Sequence, residues 1–110
     1  MFGNGITKVE KLIEKKNDTE LAKLVESKDE KVRLAAIMGL GKVRGEASYN
    51  ALVALLRNTE AVIRAAAVKA IAEYGDSKLR AHLEHLIKSE TDSGVIAALH
   101  AALIKVKGNN

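Results

Sequence analysis

The chain has no cysteine, no proline and no tryptophan, and aromatic residues make up only 3% of its 110 positions. Without cysteine there are no disulfides, no thiolate metal ligands and no cysteine nucleophile. With so few aromatics, a core has to be built from Ala, Leu, Ile and Val, whose small side chains let helices approach closely. No run nears the ~18 consecutive apolar residues that a membrane-spanning helix requires. The opening "MFGNGITKVEKL" lacks a basic start followed by an apolar run, so it does not read as a signal peptide. A soluble, cytoplasmic protein is the expectation.

What is present is enough for one globular domain over residues 1–110, with 47% hydrophobic residues. The formal net charge is +4, but the excess is spread out. Residues 1–44 carry ten Lys/Arg against seven Asp/Glu, residues 45–75 three of each, and residues 76–110 five against four. A mild excess mixed with acids throughout serves solubility as well as it serves an acidic partner.

Internal repetition organises the chain. "VRLAAIMGLGKV" (32–43), "IRAAAVKAIAEY" (63–74) and "VIAALHAALIKV" (95–106) align at offsets of 31 and 32. A second series, Leu21, Leu52 and Leu83, recurs every 31 residues; Leu24, Leu55, Leu86 and Val25, Leu56, Ile87 follow it. Each unit is therefore a shorter helix A, a turn and a longer helix B, with repeats at 18–44, 46–75 and 76–107. Turn signals fall where this requires them, in "SKDE", "RGEAS", "RNTE", "YGDS" and "SETDSG". Asp29, Thr59 and Asp92 are positioned as N-caps or first-turn residues of the B helices.

The apolar stripe of the B helices runs Val32, Ala36, Leu40, Val43, then Ile63, Ala67, Ile71, Tyr74, then Val95, Leu99, Leu103, Val106. Beside it lies a column of small residues only: Ala35 and Gly39, Ala66 and Ala70, Ala98 and Ala102. Such a column suits a surface along which a neighbouring helix passes closely, and it accounts for Gly39, since glycine inside a helix costs about 1 kcal/mol relative to alanine. Gly41 aligns with Ala72 and Ile104 on the outer side, where relaxed packing is the expectation. Helices this short persist only by stacking on their neighbours. Ile37 and Val68 are matched in the last repeat by His100, and Ala22 and Val53 by Glu84, so both flanking columns turn polar where an array ends. Residues 6–16 form an N-terminal capping helix with Ile6, Val9, Leu12 and Ile13 inward.

These units resemble the short HEAT-like repeats of the PBS-lyase type. The pattern of that family, an acid, then Val-Arg, Ala-Ala and Ala-Leu-Gly, is matched by Asp29, Val32-Arg33, Ala35-Ala36 and Gly39-Leu40-Gly41. The second copy is Glu60, Ile63-Arg64, Ala66-Ala67 and Ala70-Ile71; the third keeps Asp92 but has Ile96 in place of the arginine. The proline usual in helix A is missing from all three copies. The resemblance implies an all-α, right-handed α-α superhelix, a solenoid of three HEAT-like helical repeats behind one capping helix. It also implies an acid–arginine ladder between repeats, and it carries no lyase site with it.

Catalytic chemistry finds little support in the residues. Ser27, Ser48, Ser77, Ser89 and Ser93 fall in turn or cap positions, and none has a Gly-x-Ser-x-Gly setting. Glu10 with Glu14 and Asp29 with Glu30 lie among lysines on amphipathic helices, as solvated faces do. "GNG" has no strand before it and no further glycine of a dinucleotide loop. His82 and His85 share the outer face of a helix A without a third ligand at metal spacing. No enzyme, metal or cofactor is expected.

The informative surface is the outward side of the B helices, which lines the concave face in HEAT-like solenoids. Leu34, Met38 and Gly41, then Ala65, Lys69 and Ala72, then Ala97, Ala101 and Ile104 occupy it, flanked by Lys42, Glu73 and Lys105. A solvated helix face is normally richer in charge, and a charge-rimmed apolar area marks interaction sites. A non-enzymatic protein-binding module or scaffold is therefore expected, with Leu34, Met38, Lys42, Lys69, Glu73, Ala101 and Ile104 as the contact residues. Nucleic acid held by Arg33, Lys42, Arg64, Lys69 and Lys105 is the alternative, weakened by Glu73 and by the lack of interleaved aromatics. Weak homodimerisation through the same face of an otherwise monomeric protein is the third reading, and no membrane partner is expected.

Overall fold

In the computed structural model, which describes residues 4–107, the repeating sequence folds into helices joined by short turns. The order is α1 (Asn4–Glu14), α2 (Asp18–Leu24), α3 (Glu30–Val43), α4 (Glu46–Leu55), α5 (Ala61–Tyr74), α6 (Arg80–Ile87) and α7 (Ser93–Lys105), with a 3-10 turn, Ser77–Leu79, leading into α6. The described residues contain no strand. Helices α2/α3, α4/α5 and α6/α7 are the A/B pairs that the two repeat series predict. α1 begins and ends two residues earlier than expected, and Lys16, with φ 55°, turns the chain just beyond its end.

Contacts between elements divide the molecule into two rows. α1, α3, α5 and α7 pack side by side in sequence order, and α2 packs on both α3 and α4. The described residues span 43 × 28 × 18 Å, an elongated stack of helix pairs. Between the rows lies one core. Leu21, Leu52 and Leu83 of the A helices meet Ala36, Leu40, Ala67, Ile71 and Leu99 of the B helices, all fully buried. Val9 of α1 closes the first end, with Ile6, Leu12 and Ile13 packed against the core at half burial. Ile37 and Val68 of the first two repeats are fully buried, whereas His100 and Glu84 of the third repeat are exposed.

Both glycines of α3 are tightly packed, as expected for Gly39 but not for Gly41. A Cβ on Gly39 would lie 2.9 and 3.0 Å from the Ile13 side chain and 3.3 Å from Leu21, so α1 and α2 press side chains onto it. A Cβ on Gly41 would lie 2.5 Å from the backbone oxygen of Ala70. Gly41 is buried, and the packing there is tight, not relaxed: the α5 backbone passes directly over it. The equivalent positions loosen along the chain, with Ala72 half-buried against α7 and Ile104 83% exposed at the free end.

Helix termini follow local chemistry in two repeats of three. The Asp29 carboxylate accepts from the Lys31 and Val32 N–H groups, and Asp92 accepts from Val95 N–H. Thr59 does not cap α5. Glu60 takes that position without a side-chain cap bond, and Asn58 instead accepts from Glu60 N–H at 2.9 Å. α3 ends on Arg44 and α5 on Gly75, both left-handed, at φ 63° and 78°.

Candidate functional site

The outward side of α3, α5 and α7 is grooved, because each B helix presents small residues to the next. Leu34 and Met38 of α3 face Val62, Ala65, Ala66 and Lys69 of α5 across a depression of about 350 Å³. Lys69 also borders the next depression, about 240 Å³, with Ala72 on one wall and Ala98, Ala101, Ala102 and Lys105 of α7 on the other. Lys69 is thus the ridge that the two hollows share. Met38 is 37% and Val62 55% exposed, large apolar side chains held beside each other at the rim.

Of the seven residues singled out from sequence, Leu34, Met38, Lys69 and Ala101 line this groove. The other three stand apart from it. Lys42 is exposed and lines a separate hollow with Thr7, Glu10, Lys11, Ile13 and Glu14 of α1. Glu73 is exposed on the last turn of α5 and borders neither depression. Ile104 occupies the repeat position at which Gly41 touches the following helix, so it points toward the place of a next repeat. Val62 was missed by the sequence reasoning. Its signal was readable, since it is apolar where the other repeats carry Lys31 and Gly94.

Among the described residues one ion pair joins adjacent repeats. Arg64 of α5 grips Glu90 in a forked pair, Nε on Oε1 and Nη2 on Oε2, both at 2.8 Å. The Arg64 Nη1 group donates to the backbone oxygens of Asn58 and Thr59. The Glu90 side chain is 3% exposed, and its hydrogen bonds from Arg64 bring its pKa down to about 2. The acid–arginine ladder therefore uses Glu90, not the motif acids, because Asp29 and Asp92 cap their own helices. One repeat earlier, Arg33 donates to the Ser27 backbone oxygen, but its buried Nε has no partner among the described residues. The position equivalent to Glu90 there is Asn58.

His82 is half-buried, with its ring edge-on to Tyr49 at 6.3 Å, so it faces α4 and not open solvent. Ser48 lies in the first turn of α4 and is fully buried, not in a loop.

The family model for HEAT repeats matches residues 18–104, which takes in all three helix pairs. The chain is a HEAT-repeat protein. No curated protein matches it. HEAT repeats generally mediate protein–protein interaction, and a stacked-pair architecture supplies the extended surface for it. Within this HEAT-repeat domain, no described helix is long and apolar enough to cross a membrane.

Proposed function

We propose that this HEAT-repeat domain is a non-enzymatic binding module or scaffold that holds a protein partner along the outward face of α3, α5 and α7. The observation that carries the reading is the pair Met38 and Val62, exposed apolar side chains set beside a groove that runs on past Lys69. Apolar area of this kind, rimmed by charge, is characteristic of interaction sites. Leu34, Met38, Lys69 and Ala101 make the contacts within the groove, and Lys42, Glu73 and Ile104, which stand outside it, meet a partner that extends beyond its edges. Lysines at the rim favour an acidic edge on the partner, and the alanine-lined walls favour a closely approaching helix or extended segment.

Phosphate binding has weaker support on this face. Lys42, Lys69 and Lys105 supply cations, but Glu73 interrupts them and no aromatic ring lines either hollow for base stacking.

The test is a tagged capture from native lysate, with and without nuclease, comparing wild type with a Met38→Glu, Lys69→Glu, Ala101→Glu variant of matched melting temperature. A nuclease-resistant protein retained by wild type and lost by the variant supports the groove. Retention of the same proteins by both removes it. Nuclease-sensitive retention moves the reading to nucleic acid, and sedimentation over a concentration series reports self-association.

A further inference from the structure

The row of A helices contains a gap that the groove does not share. α2 packs on α4, but α4 and α6 make little contact, although the same repeat step relates each pair. Where α4 has Ala51 and Ala54, α6 has the larger His82 and His85, and both imidazoles line the gap. The wedge between the helices is about 400 Å³ and shares no lining residue with the groove on the opposite row.

Its walls have a consistent chemistry. Val53, Leu56 and Leu86 give it apolar surface, while Arg57, His82 and His85 stand around it. The acceptors that would otherwise attract a cation are occupied. The backbone oxygens of Asn58 and Thr59 accept from Arg64, and the Leu86 oxygen accepts from the Ser89 hydroxyl. Glu90, which follows the lining residue Ser89, is held by both remaining arms of Arg64. Glu84 of α6 is paired with Arg80. No acid lines the wedge, and the Arg57 guanidinium makes no hydrogen bond or ion pair among the described residues.

We infer that the wedge between α4 and α6 is a second binding site, which takes a carboxylate carried on an apolar body. The carboxylate meets the planar fork of Arg57, which matches it with two parallel N–H donors, and the imidazole N–H groups of His82 and His85 flank it. The apolar body covers the half-buried Val53 and Leu86 beside the buried Leu56 and removes their remaining surface from water. A peptide C-terminus ending in an aliphatic residue and a free aliphatic acid share this chemistry.

The test is a side-chain NMR titration of the intact chain at constant pH and ionic strength. It follows the His82 and His85 ring signals and the Leu86 methyls. The probes are hexanoate, N-acetyl-alanyl-leucine, the same dipeptide amidated, inorganic phosphate and hexylammonium. Saturable shifts are expected with hexanoate or the free-acid dipeptide, and whichever saturates at lower concentration identifies the source. The exposed substitution Arg57→Gln is expected to weaken binding about tenfold, the scale of one charge-assisted contact, and His85→Gln to weaken it less. Linear shifts with both carboxylates overturn the proposal, as do equal shifts with phosphate, the amide or hexylammonium. Unchanged affinity in Arg57→Gln overturns it independently of any probe comparison.

Discussion

Asp18 and Ser48 join adjacent repeats through one carboxylate oxygen. It accepts the Ser48 backbone N–H at 2.8 Å and the Ser48 hydroxyl at 3.1 Å, across 30 residues of sequence. The N-cap residue of α4 is Gly45, which has no side chain to offer. Helix α4 therefore takes its cap from the N-terminal end of α2, and a Cβ on Gly45 would collide with the Asp18 carboxylate. Losing a cap costs about 0.5–2 kcal/mol, and a buried hydroxyl left without its partner adds to it. Asp18→Ala is expected to lower stability by about 1–3 kcal/mol. Asp18→Asn, which keeps one acceptor, should fall in between. Urea unfolding of the three proteins checks the order.

The glycines of α3 separate helix propensity from packing. Replacing either with alanine contributes up to about 1 kcal/mol of intrinsic helix stability. At Gly39 the obstacle is the Ile13 side chain, whose outer atoms can shift, so Gly39→Ala is expected to be near neutral. At Gly41 the obstacle is the Ala70 backbone, and overpacking of that kind costs about 1–3 kcal/mol. Gly41→Ala should therefore melt below wild type, and Gly39→Ala should not.

This pair also shows what the sequence could reveal. The repeat period, the buried stripe and the polar substitution at His100 follow from spacing, because a helix face is set by residue number alone. Gly41 was misread because the 41/72/104 column holds Gly, Ala and Ile, which reads as indifference to size. In the fold it records how near the next B helix comes, from contact at Gly41 to open solvent at Ile104. Leu34, Met38, Lys69 and Ala101 share the groove because one helical stripe keeps a constant direction. The Asp18–Ser48 and Arg64–Glu90 links were not legible, since they join loops and helix ends whose approach depends on the stacking.

Core and free-end positions should differ in kind. Ile71 is fully buried and Leu55 nearly so. Truncating either to alanine is expected to cost about 2–5 kcal/mol through lost burial and a residual cavity. Ile104→Ala, at 83% exposure, should leave the unfolding free energy within about 0.5 kcal/mol of wild type. A comparable loss at Ile104 would mean that the free end is covered in solution.

The Arg64–Glu90 pair makes stability depend on pH. The folded Glu90 carboxyl titrates near 2, below its ordinary value of 4.5, so the folded state holds its proton less tightly than the unfolded chain. Its contribution is complete above about pH 4.5 and is lost as pH falls toward 2. Glu90→Gln removes that slope, and it is expected to lower stability at neutral pH because Arg64 loses its counter-charge and keeps only its bonds to the Asn58 and Thr59 backbone oxygens. Denaturant unfolding at neutral pH and at pH 3 should show wild type losing more of its stability than the variant.

The preceding junction permits the opposite experiment. Asn58 occupies the repeat position of Glu90, and each accepts an N–H two residues ahead, Glu60 and Asp92 respectively. Arg33 occupies the position of Arg64 and makes the matching bond to a backbone oxygen, Ser27 for Arg33 and Asn58 for Arg64. What the first junction lacks is the carboxylate, and Arg33 Nε is buried without a partner there. Asn58→Glu places an acid on the repeat-related path to that nitrogen. Satisfying a buried donor and forming a forked pair should raise stability by about 1–2 kcal/mol. The gain should vanish in the Arg33→Gln background, where no guanidinium remains to be paired. A double-mutant cycle measured by urea unfolding reads the coupling directly, and an additive result would show that the two junctions are not built alike.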